Sequence, residues 1–122
     1  MKKFVGKHVV IAALTVIAGF AASAQAADVV GNAKAGQGKV AMCIGCHGIP
    51  DYRTAYPEVY RVPIIGGQNA AYLRNALQAY KKGDRHFDTM RAVATSLSDQ
   101  DIADIAAYYA AQTPSSKNNP DK

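Results

Sequence analysis

A chain of 122 residues that is 49% hydrophobic and 19% charged has the size and make-up of one globular domain, and its two cysteines allow at most one disulfide. A formal charge of +5 fits an anionic partner such as nucleic acid only if the charge belongs to the folded domain. Part of it does not. Lys2, Lys3 and Lys7 precede an uncharged apolar run from Val9 to Ala22, and Ala24-Gln25-Ala26 follows. That order predicts a secretory signal peptide over residues 1–26. The apolar run falls short of the ~20 residues a membrane-spanning helix needs, although a retained segment would act as a tether. Cleavage after Ala26 removes three of the fourteen basic residues and none of the nine acids, leaving a formal charge of +2. A field that weak excludes nucleic-acid binding as the main function.

The domain is expected over residues 27–112, with a flexible polar tail over 113–122. A short helix is predicted from Ala33 to about Met42, despite Gly36 and Gly38. Residues 48–69 form a long connection broken by Pro50, Pro57, Pro63, Gly66 and Gly67. A connection of that length needs a reason to be ordered, and wrapping a large apolar cofactor is one. Tyr52, Tyr56 and Tyr60 recur every four residues, which predicts a turn or two of helix. Asn69 caps a helix over about Ala70 to Lys82, whose apolar stripe is Tyr72, Leu73, Ala76, Leu77 and Tyr80, and Gly83 stops it. Thr89 to Ala94 reads as a short helix. Ser98-Asp99-Gln100-Asp101 opens the last helix, about Asp99 to Gln112, with Ile102, Ile105, Ala106 and Tyr109 on one face. No strand pattern stands out, and the fold class is all-α.

Cys43-Ile44-Gly45-Cys46-His47 carries the chemistry. C-x-x-C-H is the attachment signature of c-type haem. Two thiols three residues apart on a helical turn reach the two vinyl groups along one haem edge, and the next residue presents its imidazole to the iron. A thioredoxin-like pair would want a βαβ setting, which the chain lacks. A zinc site would have to draw on Cys43, Cys46, His47 and His86, with adjacent residues converging on one tetrahedral ion. A disulfide across so short a loop would constrain little. Haem is therefore the favoured reading, and it adds apolar surface to a core that 96 residues fill only marginally.

His47 supplies one axial ligand. For the other, Met42 lies on the same stretch as the motif and does not reach the opposite face. Met90 follows a loop from Gly83 to Thr89 that is long enough to fold over the ring, and it is favoured. His86 or an open iron site are the alternatives. Methionine–histidine ligation raises the potential and leaves no vacant position for oxygen or peroxide, which suits electron transfer and argues against an enzyme.

The chain resembles the class I c-type cytochromes, most closely the short soluble bacterial branch whose domains also occur in tandem in dihaem cytochromes. The resemblance runs from about Gly36 to Ala111. It rests on Gly36, the C-x-x-C-H at 43–47, Pro63-Ile64-Ile65-Gly66-Gly67-Gln68, Tyr72-Leu73 with Leu77 and Tyr80, Gly83-Asp84-Arg85, Met90, and Leu97 to Ile102 leading to Ala107-Tyr108-Tyr109. It implies crossed N- and C-terminal helices with a middle helix around one haem c, with Gly36 at the crossing near Ile105 and Tyr108. It implies that the Pro63 carbonyl accepts the His47 ring N–H, and that Tyr80 or Arg85 meets a propionate. Cys43, Cys46, His47, Pro63 and Met90 are thus the expected haem-binding residues, with His47 and Met90 on the metal. Residues 49–61 lie outside the resemblance and read as either a lid over a haem edge or a partner-specific surface.

The expected function is a monomeric periplasmic carrier of one electron. Its partners would be redox proteins such as cytochrome complexes, oxidases or dehydrogenases. A tethered module of a larger complex, a haem sensor and a peroxidase-like protein are the competing readings. Lys39, Lys81, Lys82, Arg53, Arg61 and Arg91 are candidates for a basic docking patch, or else an ordinary solvated surface.

Overall fold

The structure is a computed structural model that describes residues 29–116. The expected signal peptide, residues 1–26, and the end of the tail from 117 onward lie outside the described residues. Five helices and one two-stranded hairpin follow in the order α1 (Ala33–Gln37), α2 (Ala41–His47), β1 (Arg53–Thr54), β2 (Tyr60–Arg61), α3 (Ala70–Lys82), α4 (Asp88–Thr95) and α5 (Asp99–Ala110).

The helix expected from Ala33 to Met42 is two helices. Asn32 caps α1 by accepting from the Ala35 amide at 3.1 Å, and the chain turns at Gly38. The break has a packing cause. Val40, between the two helices, is 1% exposed and packs in the core with Ile102 and Ile105 of α5. Gly36 allows the close approach. A Cβ there would fall on the Asp104 carbonyl and within 2.8 Å of the Tyr108 Cβ, so α1 crosses α5 backbone to backbone. The crossing therefore meets Tyr108 as expected, but Asp104 rather than Ile105.

The tyrosine-rich connection is not helical. Arg53 pairs with Arg61 and Thr54 with Tyr60 in an antiparallel register, and the Val62 amide donates to the Tyr52 carbonyl at 2.9 Å. The fourfold tyrosine spacing loses to local turn chemistry: Pro57 lies between the strands, and the Thr54 hydroxyl donates to the Glu58 carbonyl at 2.9 Å across the turn. The fold is all-α apart from this short ladder.

The remaining elements follow the sequence closely. Asn69 caps α3 by accepting from the Tyr72 amide at 3.1 Å, and Gly83 ends it at φ 89°, a conformation glycine adopts without a Cβ penalty. Thr89 to Ala94 lies within α4, which starts one residue earlier. Ser98 and Asp101 form a complete capping box on α5, which closes at Ala110 rather than Gln112. The core gathers Val40, Leu73, Leu97, Ile102, Ile105, Ala106, Tyr108 and Tyr109, with Cys43, Ile65 and Leu77 packed against it. Among the described residues no helix is long and apolar enough to cross a membrane.

Candidate functional site

A largely apolar cavity opens between α2, the hairpin, α3, α4 and α5. The stripe of α3 (Tyr72, Leu73, Ala76, Leu77 and Tyr80) lines it, so the face that periodicity marks as core faces this cavity as well as protein. Cys43, Cys46, His47, Pro63 and Met90 all line the same space. His86 is exposed and is not among the lining residues. Among the described residues no three His, Cys, Asp or Glu side chains gather as a metal cluster, and the two cysteines are free rather than disulfide-bonded.

Local structure presents each group. His47 is the last residue of α2, and Gly48 caps the helix by donating its amide to the Ile44 carbonyl at 2.9 Å. The His47 Nδ1–H donates to the Pro63 carbonyl at 2.7 Å. A carbonyl only accepts, so Nδ1 carries a proton, and in the neutral imidazole that leaves the lone pair on Nε2. Pro63 is itself held from both sides. The Val62 amide ties the preceding residue to Tyr52, and the Gly67 amide donates to the Tyr109 carbonyl at 2.8 Å at the end of α5. Met90 is carried by the first turn of α4.

The Cys43 thiol is pushed up from its ordinary pKa, chiefly by burial, and the neighbouring Tyr109 phenol is pushed up by burial and by Cys43. The Tyr109 hydroxyl is buried without a hydrogen-bond partner of good geometry. Arg85 lines the cavity rim, with its guanidinium carbon 4.7 Å from the centre of the Tyr80 ring. Its pKa is raised, first by a hydrogen bond with Tyr72.

The residues of the cavity coincide with a known pattern. The sequence model of the family described as Cytochrome c matches residues 33–111. The chain belongs to the cytochrome c family.

Among its relatives, cytochrome c-554(548) of Halomonas halodenitrificans is 42% identical over 85 residues, which are 67% of this chain and 98% of that protein. Cytochrome c4 of Pseudomonas aeruginosa is 43% identical over 86 residues, 70% of this chain and 41% of the relative. The crystal structure of reduced recombinant cytochrome c4 from Pseudomonas stutzeri superposes with a TM-score of 0.56 at 40% identity, covering 69% of this chain and 47% of that one. The chain thus matches almost the whole of the c-554(548) relative and under half of each of these c4 proteins.

This cytochrome carries covalently bound haem c, and its cavity fits that group. Two free thiols, an imidazole with its lone pair on Nε2 and a thioether line one apolar space, which is the donor set and the medium that a c-type haem requires.

Two features escaped sequence reasoning. Asp104 sits in an otherwise apolar run of α5 yet is 3% exposed, and a lone carboxylate among Ile102, Ala103, Ile105 and Ala106 was the available signal. The ring contact of Tyr60 with Phe87, centroids 5.2 Å apart, joins distant segments and leaves no mark in local periodicity. Of the basic residues considered for docking, Lys39 pairs with Asp101 and Asp104, Arg61 with Asp51, and Lys81 with Asp99. These three of the six basic residues thus have carboxylate partners within the molecule.

Proposed function

We propose that this cytochrome is an exported one-electron carrier of the periplasm, with His47 and Met90 as the axial ligands of its haem iron. Cys43 and Cys46 bind the macrocycle through thioethers. The haem supplies a centre that changes oxidation state by one electron. The protein's part is to hold that centre in one geometry in both states. The Pro63 carbonyl fixes the imidazole plane through Nδ1 and makes Nε2 a stronger donor. The Met90 sulfur is a soft, neutral ligand that favours the reduced state and raises the potential. With both positions taken by side chains, oxygen and peroxide have no place to bind, so the protein is a carrier and not an enzyme. Partners are redox proteins that dock transiently over a small area.

The observation that carries this reading is the convergence of both cysteines, the oriented His47 and Met90 on one apolar cavity. The test is the absorption spectrum of the oxidised protein beside that of Met90→Ala. A weak far-red sulfur-to-iron band is expected in the parent protein and lost in the variant, with a fall in potential. An unchanged spectrum and potential in Met90→Ala would end the proposal for this ligand. Mass spectrometry of the isolated protein should give a chain beginning at Ala27 and carrying one haem.

A further inference from the structure

The hairpin and the Met90 segment meet at one point. The rings of Tyr60 and Phe87 lie 5.2 Å apart at an interplanar angle of 47°, within the range of favourable aromatic pairs. Tyr60 stands on β2, three residues before Pro63, whose carbonyl holds His47. Phe87 stands three residues before Met90 at the N-terminal boundary of α4. Both rings line the cavity. This ring contact links the segment that orients the imidazole to the segment that carries the thioether.

The body of α4 packs along α3, and the ring pair adds a tie from the start of that helix to the hairpin. Phe87 occupies the N-cap position of α4 without any side-chain capping bond, so the helix start lacks the usual polar fastening. Upstream, the Asp84 and Arg85 amides are tied to the Ala79 carbonyl, and the Arg85 guanidinium lies over Tyr80, which secures the chain to α3. Phe87 is the next fastening, and it reaches the hairpin instead. The hairpin is closed by its own ladder and by the Thr54 hydroxyl, so it is a defined surface for Phe87 to pack on.

We infer that the Tyr60–Phe87 pair is a clasp that keeps the Met90 segment closed over the haem and thereby sets how often the Met90 sulfur leaves the iron. This rests on Met90 being the axial ligand. It also gives residues 49–61 the role of a lid. Tyr60 and Phe87 are positioning residues: they act through the backbone that carries Met90. Loosening the pair raises the population in which the sixth position is open, and an exogenous ligand reports that population directly.

The experiment is carbon monoxide binding to the ferrous holoprotein, measured for the parent protein, Tyr60→Phe, Tyr60→Ala, Phe87→Leu and the double variant Tyr60→Ala/Phe87→Leu. Far-red absorption of each oxidised form is recorded alongside. Tyr60→Ala and Phe87→Leu are each expected to speed carbon monoxide association by about two- to tenfold, the range that the loss of an aromatic pair supports. The double variant is expected to speed association by less than the product of the two single effects, since both remove the same contact. Tyr60→Phe keeps a ring and should bind like the parent. A Tyr60→Ala protein with the far-red band, a lower melting temperature and unchanged carbon monoxide association would overturn the clasp and leave Tyr60 as surface packing. A parent protein without the band would instead overturn the Met90 ligation, and the clasp with it. Should Tyr60→Ala fail to fold, Phe87→Leu alone decides, because it retains apolar bulk at the cavity wall.

Discussion

Asp104 shows how one residue can hold two ends of a chain together. Its carboxylate accepts from the Asn32 amide at 2.7 Å, from Lys39 Nζ at 2.7 Å and from Gln100 Nε2 at 2.8 Å. These donors, Lys39 first, hold its pKa below the ordinary carboxylate range. Asp101 is held down as well, by Lys39 and by the Ser98 hydroxyl and amide. A carboxylate whose folded pKa is depressed stabilises the fold above its unfolded pKa and loses that contribution as pH falls through the folded value. The melting temperature should therefore be level near neutrality and fall below about pH 4, the ordinary carboxylate value. Asp104→Asn should melt lower than the parent at pH 7, with the gap narrowing toward pH 2, which a pH series of thermal melts will show. Gly36 is the complementary case of backbone approach. Alanine is the better helix former by ~1 kcal/mol, but a methyl group pressed against the Asp104 carbonyl costs about 1–3 kcal/mol. Gly36→Ala is thus expected to be net destabilising in urea denaturation, even though the substitution favours α1 on propensity alone.

At the level of elements, α5 and α3 were legible because their signals are local. The capping box of Ser98 and Asp101 and the Asn69 cap each lie within a few residues of the amides they satisfy. Ser98→Ala should cost about 0.5–2 kcal/mol of stability, read as a lower urea midpoint with little change in slope. The two elements misread, the split between α1 and α2 and the hairpin, are those whose form depends on distant partners. Val40 is drawn into a core that includes Ile102 and Ile105 on α5, and no local pattern announces that. The hairpin forms where the tyrosine spacing points to helix, because two short strands can pair across a turn and pass Pro63 to His47.

On the scale of the whole molecule, the apolar stripe of α3 lines the haem cavity, so the cofactor serves as part of the core. Replacing both Cys43 and Cys46 by alanine should abolish covalent pigment and with it cooperative unfolding, seen as a broad thermal transition and weak near-ultraviolet circular dichroism. The sequence by itself determined the cofactor and the helical class, and it offered five residues to hold the haem, with Pro63 among them through the family resemblance and Met90 favoured over His86 or an open site. Thiol spacing, an adjacent imidazole and helix caps are short-range features that need no knowledge of the fold. Only the tertiary structure decided that Asp104 ties α1 and Lys39 to α5 and that Tyr60 touches Phe87, and it gave the Pro63–His47 contact expected from the resemblance its length of 2.7 Å. Each of those contacts joins residues far apart in the chain, and their meeting depends on how helices cross and how the chain closes around one apolar group.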